Sequence, residues 1–351
     1  MNTEWNAFKA AVKRESQAPV PVALIVDSPW LPGYAGIDTR DYYLFPETWL
    51  RLNLSLLERF PGVTWIPGFW VEYGMAAEPS AFGAKFRFYP DHPPSISPIS
   101  ENLHSFSGLK PANPYEDGLM PLVLRLYKVM DERLEAEGLG IKMVAARGPV
   151  TVASWLTGIT PLLTGFADNP GLVEEILEAI TTTLIAWLRA QLEAIRDPGG
   201  ILLLDDVVGM VSKRHYQALI QPHLRRIFDE FEGLVRVYHN DTPCLHLSAS
   251  LAEANFDVFN FSHQTDIPEL RTRMGPRVTL MGNVPPLEAG VHGTPEEVQA
   301  LAEACLQAGA PNGGMILSFG GGLSPGTRPE NIEALLRAAK CWNETQHFVQ
   351  P

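Results

Sequence analysis

The sequence predicts a (β/α)8 (TIM) barrel with an N-terminal helical cap and a hairpin excursion, and three observations carry that reading. From about residue 141 onward, short apolar runs alternate with longer segments of helical periodicity, the pattern that parallel strands with crossover helices require. Over the whole chain, eight strand segments of this kind occur. The third observation is size: 351 residues exceed the roughly 250–300 that an ordinary single core supports, which leaves a barrel with extensions or two domains. No linker rich in Gly, Ser or charge, no low-complexity tract and no short-period repeat divides the chain. The expectation is one structural domain, with residues 1–60 as a cap that contributes the first strand and residues 61–351 as the barrel. A doubly wound sheet is the rival.

In the first half, residues 22–26 and 63–67 read as strands, and 46–60 and 119–136 as helices. Residues 84–113 form the excursion, with a hairpin over 84–89 that turns near Pro93-Pro94. The remaining strands are 142–146, 200–204, 235–239, 258–262, 278–282 and 314–319, each short and apolar, as a strand covered on both faces must be. Helices are expected at 170–195, 213–232, 247–254, 268–274, 294–308 and 329–342. Asp168-Asn169-Pro170, Thr294-Pro295-Glu296-Glu297 and Thr327-Arg328-Pro329-Glu330 place a cap or proline in a first turn with acid nearby, which satisfies orphan amides and suits the helix dipole.

Composition narrows the function. With 46% hydrophobic and 19% charged residues, disorder, collagen-like repetition and a disulfide-stapled mini-fold are excluded. The formal charge of -13 supplies no positive field for a nucleic-acid backbone. Residues 1–19 contain no apolar signal core, and no later run reaches the roughly 18 apolar residues of a membrane span, so a cytoplasmic protein without a membrane partner is expected. The three cysteines, Cys244, Cys305 and Cys341, are odd in number and form no C-x-x-C; a reducing compartment without disulfides follows, and a stand-alone zinc module does not.

In a barrel, chemistry sits at the carboxyl ends of the strands, and six consecutive strand ends carry polar groups or glycine there: Arg147, Asp205-Asp206, His239-Asn240-Asp241, His263, Asn283 and Gly320-Gly321-Gly322. Asp205 and Asp206, adjacent carboxylates after an apolar run, would shift each other's titration, as acid/base or cation-binding work needs. His239 and Asp241 stand two residues apart and point to one side, suited to holding a metal or sharing a proton; alternatively Asp241 caps the next helix and His239 bonds a loop carbonyl. His263 faces inward if Asp266 caps the following helix. Arg147 is a fixed cation after a buried strand and needs an anionic partner, either substrate or Asp205 or Asp206. The triple glycine lacks the Gly-Lys-Ser/Thr of a phosphate loop and fits a close backbone approach. Trp65, Phe69, Trp70 and Tyr73, with Glu72 and Glu78 among them, could line an apolar mouth.

Gly-Pro-Val-Thr-Val-Ala-Ser-Trp ending at Trp155, the Gly282-Asn283-Val284 turn followed by Pro286-Leu287, Gly-Thr-Pro-Glu-Glu-Val starting at Gly293, and Gly-Leu-Ser-Pro-Gly-Thr-Arg-Pro-Glu-Asn starting at Gly322 together resemble the uroporphyrinogen decarboxylase superfamily, from about residue 40 to the C-terminus. The resemblance implies a (β/α)8 barrel. It also implies one of two chemistries: removal of acetate carboxylates from a tetrapyrrole without a cofactor, or transfer of a methyl group to or from a corrinoid or coenzyme M.

Departures from the superfamily's patterns favour the methyltransferase-like branch. The Arg-x-x-Gly-Arg-Tyr of true decarboxylases has no counterpart arginine in the stretch from Asp27 to Tyr34; their Phe-Ser-Asp is replaced by Pro-Gly-Phe-Trp over residues 67–70; and their Gly-His-Gly is Gly320-Gly321-Gly322. The zinc methyltransferases carry His-x-Cys and Gly-Cys-Gly, where this chain has His239-Asn240-Asp241 and Gly321 in place of the second cysteine. The resemblance therefore points to a methyltransferase acting on a small donor. His239 and Asp241 are candidates to hold zinc or another metal, with His263 or Glu72 as further ligands. Asp205 or Asp206 is assigned the acid/base role. Arg147, Glu72, Trp70, Tyr73, Asn283 and Gly321 are the candidate substrate-binding set. No Asp-x-His-x-x-Gly corrinoid motif occurs, so any corrinoid would arrive on a separate partner protein. A second copy of the chain is a further candidate partner. The alternatives are decarboxylation of uroporphyrinogen or a related acid, and a non-catalytic tetrapyrrole- or corrinoid-binding protein.

Overall fold

In a computed structural model that describes residues 2–15, 18–26 and 30–348, all eight expected strands form and run parallel in one sheet. We number them β1 (Val22–Ile25), β2 (Val63–Ile66), β3 (Met143–Arg147), β4 (Gly200–Leu204), β5 (Val235–Asn240), β6 (Val258–Phe261), β7 (Thr279–Val284) and β8 (Met315–Phe319). The sheet runs β2-β1-β8-β7-β6-β5-β4-β3. Pairing of the first strand with the last, Val22 opposite Leu317, curls it into a barrel and excludes the doubly wound alternative. Every residue of β1, β2, β4, β6, β7 and β8 is buried, which is why these strands read as largely apolar runs.

The ring is not laddered all the way round. Among the described residues no backbone ladder joins β2 to β3. Pro67, directly after β2, has no N–H to extend one. Side chains replace the missing strand partner on the free edge of β3. Glu78 accepts the Arg147 backbone N–H at 2.9 Å, and Gln191, 1% exposed on the long helix Pro170–Glu193, donates its amide to the Ala145 carbonyl at 3.1 Å. Gln191→Leu leaves that buried carbonyl without a partner. The expected cost is about 1–3 kcal/mol, read as a lower urea midpoint at unchanged m-value.

The helices follow their sequence signals where those were local. Thr294 and Glu297 close a reciprocal capping box, and the Asp266 carboxylate accepts the Glu269 N–H at 2.8 Å. Two helices, Pro149–Thr157 and Ile159–Asp168, went unread. The first is buried on nearly every side, so it shows no polar stripe and no 3.6-residue signature. The pair is bent by 109°, and among the described residues no single helix is long and apolar enough to cross a membrane. The excursion carries the expected hairpin, Lys85–Arg87 antiparallel to Ser95–Ser97. Asp27, the first residue of the stretch that lacks an arginine, lies outside the described residues together with Ser28 and Pro29.

Candidate active site

Strands β4 and β5 end side by side, with Leu204 opposite His239. Asp206 opens the short turn Asp206–Met210 after β4, and Asp241 follows β5 directly. The result is a compact group: Asp206 Oδ1 lies 3.3 Å from His239 Nε2 and accepts the Asp241 backbone N–H at 3.2 Å. One imidazole nitrogen of His239 and one carboxylate oxygen each of Asp206 and Asp241 all fall within 4.8 Å of one another, close enough to hold a cation.

A buried asparagine orients the imidazole. Asn260 donates its amide N–H groups to the carbonyls of Met281 and Phe319, at 2.9 and 3.1 Å. Its Oδ1 must then be the acceptor in the 2.7 Å contact with His239 Nδ1, so Nδ1 carries a proton and Nε2 faces Asp206. Burial works to lower the His239 pKa, but the charge and hydrogen bond of Asp206, then Asp241 and Asn260, outweigh it and hold the group up at about 9. Burial likewise opposes ionisation of Asp206, yet His239 and, more weakly, Arg147 keep its carboxyl below the usual range. Asp241 is pushed the other way, by burial and by the Asp206 charge.

Arg147 ends β3 and stands opposite Leu204, which stands opposite His239. Ladder partners share a face, so Arg147 and His239 lie at one level of the inner wall, two strand spacings or roughly 10 Å apart along the sheet. Of the anionic partners expected for Arg147, neither Asp205 nor Asp206 lies at ion-pair distance; Glu72 does. Arg147 Nη2 lies 3.6 Å from Glu72 Oε2, and its guanidinium sits 5.0 Å from the centre of the Trp70 ring. Glu78 is fully buried beside it, and burial raises its carboxyl above the usual range.

Four further candidates are placed as follows. Asp205 does not face the mouth. Its carboxylate accepts the N–H groups of Val150 (3.2 Å) and Thr151 (2.7 Å) and the Thr151 hydroxyl (2.7 Å), which caps the helix Pro149–Thr157. Burial outweighs these donors and pushes the group up to about 7. His263 is not part of the three-residue cluster; its Nε2 lies 3.9 Å from Glu288. Asn283 turns its amide to the carbonyls of Ser262 (3.1 Å) and Thr265 (2.8 Å), fixing the loop after β6. Tyr73 packs its ring on Tyr43 and Phe88 under the excursion, and the resulting burial raises its pKa.

The glycine run has a packing cause. A Cβ at Gly320 would lie 2.4 Å from the His263 backbone nitrogen, so only glycine lets the end of β8 approach that turn. A Cβ at Gly321 would point to within 3.4 Å of Asp241 Oδ2, which places this position against the cluster. Cys244 and His246 pack, with Cys244 buried and His246 Nε2 against the Val211 carbonyl at 2.9 Å.

Asn260 escaped the sequence reading, although a lone polar residue inside Val-Phe-Asn-Phe was its signal. Asn240 was named at its strand end without a role, and Thr242 was passed over. Asn240 donates to the Asp205 carbonyl at 2.9 Å and Thr242 to the Asp206 carbonyl at 2.8 Å, tying the β4 and β5 ends together.

A family model described as uroporphyrinogen decarboxylase matches residues 4–342. The uroporphyrinogen decarboxylase of Synechococcus sp. (strain CC9605) is 25% identical over 271 residues, 74% of this chain and 73% of that protein. That of Nocardia farcinica (strain IFM 10152) is 32% identical over 203 residues, 54% of this chain and 56% of that protein. Among solved structures, a methyltransferase from Methanosarcina mazei superposes with a TM-score of 0.81 at 22% identity, covering 96% of this chain and 98% of its own. A B12-independent methionine synthase from Shewanella sp. W3-18-1 does so with a TM-score of 0.65 at 12% identity, over 95% and 100%. At these identities the structural likeness is one of fold, whereas the family match spans almost the entire sequence. The chain belongs to the uroporphyrinogen decarboxylase family.

Proposed function

We propose that this family member is a methyltransferase that moves a methyl group between a small donor and a corrinoid carried by a separate protein. The observation that supports the reading is the Asp206–His239–Asp241 cluster, which offers one imidazole nitrogen and two carboxylates and in which His239 and Asp241 stand in the segment that resembles the His-x-Cys of the zinc methyltransferases. That donor set fits a hard or borderline divalent cation better than a thiolate site would. Asn260 supports the fit, because it keeps the Nδ1 proton in place and leaves the Nε2 lone pair as the ligand. Bound there, a divalent metal would act as a Lewis acid on the donor heteroatom.

Metal and proton exclude each other on Nε2. Without metal, the raised pKa makes His239 an imidazolium, and Nε2–H donates its proton to the heteroatom as the reduced corrinoid nucleophile on the partner takes the methyl with its own electron pair and the methyl–heteroatom bond breaks, its electrons staying on the heteroatom. In both states the cluster sets positive charge against the departing atom, and Asp206 holds the imidazole in place.

The named activity of the curated relatives is the second reading, and the electrostatics weigh against it. Arg147 is the one arginine or lysine among the last residue of each barrel strand and the five residues after it. Binding a tetrapyrrole with eight carboxylates calls for more countercharge than that.

Elemental analysis of the purified chain is expected to find about one divalent metal per molecule. Incubation with cob(I)alamin and a panel of methylated amines, ethers and thioethers is expected to give methylcobalamin, followed by absorbance. Absence of both metal and methyl transfer, or coproporphyrinogen formed from uroporphyrinogen, overturns the reading. A spectral change on cobalamin titration without turnover would mark a binding protein instead.

A further inference from the structure

Arg147 has more hydrogen-bonding capacity than the protein uses. The guanidinium carries five N–H donors, and its side chain is only 11% exposed. Yet Glu72 lies at 3.6 Å, an ion-pair distance beyond hydrogen-bond reach, and the Trp70 contact uses the face of the cation and none of its N–H groups. Among the described residues, no side chain or carbonyl accepts a hydrogen bond from this guanidinium. The other internal arginines behave differently: Arg271 donates to the carbonyls of Val278 and Gly314, and Arg236 to Asp257. A group so deep with so many uncommitted donors is built to receive an acceptor.

Two features decide which acceptor. Trp70 and Glu72 lock the guanidinium in one orientation, and a planar fork held that way matches a carboxylate through two parallel N–H···O bonds. Charge sets the count. Arg147 is the one arginine or lysine at the strand ends, Glu72 lies beside it and Asp206 already pairs with His239, so the site favours one added anionic group over several. Its place on the inner wall, roughly 10 Å along the sheet from His239, sets the span of the molecule so held.

We propose that Arg147 is the residue that determines substrate specificity, binding the carboxylate of a small monocarboxylic acid whose opposite end reaches the Asp206–His239–Asp241 cluster. The inference rests on that cluster being the reacting centre. It narrows the methyl donor to acids bearing one carboxylate, with the methylated heteroatom at the far end.

Calorimetric titration of the full chain with acetate, butyrate and benzoate, each paired with its neutral amide, tests it without turnover and without metal. At least one acid is expected to bind about tenfold or more tightly than its amide, the size of a charge-assisted pair. Arg147→Met is expected to erase that preference, and Arg147→Lys to keep part of it, with melting curves confirming that both variants fold. Benzene-1,3,5-tricarboxylate is expected to bind no better than benzoate. A preference unchanged in Arg147→Met, no preference for any acid in the native chain, or a tricarboxylate bound tenfold more tightly than benzoate overturns the proposal and makes Arg147 a structural ion pair or part of a polyanion site. Failure of methyl transfer alone would sink the methyltransferase reading and leave this binding result intact.

Discussion

Asp205→Ala is expected to lower the unfolding free energy by about 2–6 kcal/mol. The substitution removes the acceptor for two backbone N–H groups at the start of the helix Pro149–Thr157 and for the Thr151 hydroxyl. Val150 and Thr151 are both buried, so water does not replace the lost partner. Each orphaned N–H costs about 1–3 kcal/mol, which sums to a large share of the 5–15 kcal/mol that holds a typical domain together. Asp205→Asn keeps one carbonyl oxygen where Thr151 donates, and about half the loss is expected to return. Denaturant titration of both variants checks this. The same pair separates a structural aspartate from a catalytic one: Asp205→Asn is expected to keep ligand and metal binding at the native level, because its side chain faces the helix and Asp206 faces the mouth.

That contrast shows where the sequence stops being informative. Two adjacent acids after a strand point in opposite directions because side chains alternate, but which one faces inward depends on where the strand ends to the residue. The mostly apolar runs announced all eight strands because burial on both faces leaves few polar positions in them. The same burial hid the helix Pro149–Thr157, since a helix covered all round has no amphipathic period to read.

His239 and Asp241 were legible as neighbours at one strand end. Their third partner was not, because the 3.3 Å contact with Asp206 crosses between strands. His263 looked equivalent to them from its position after β6. The approach of Gly320 to its backbone and the proximity of Glu288 set it apart, and both involve residues distant in sequence.

His239→Gln is expected to weaken Zn2+ binding more than about a hundredfold, since it removes the one nitrogen donor of the proposed three-residue site. Asn260→Leu is expected to weaken it by about 10–100-fold without touching a ligand, by releasing the Nδ1 contact that fixes the imidazole. Asn260 has a second duty, however. Its amide also spans from β6 to the carbonyls of Met281 on β7 and Phe319 on β8, and losing those bonds costs stability whatever the imidazole does. The two effects separate in a double-mutant cycle. In the His239→Gln background, Asn260→Leu has no oriented imidazole left to disturb, so Zn2+ affinity measured against a chromophoric chelator is expected to fall no further. The stability cost, about 1–3 kcal/mol for each carbonyl left unpaired, is expected to persist in full. If instead the affinity losses multiply, Asn260 acts on the metal through the barrel as a whole and not through the tautomer of His239.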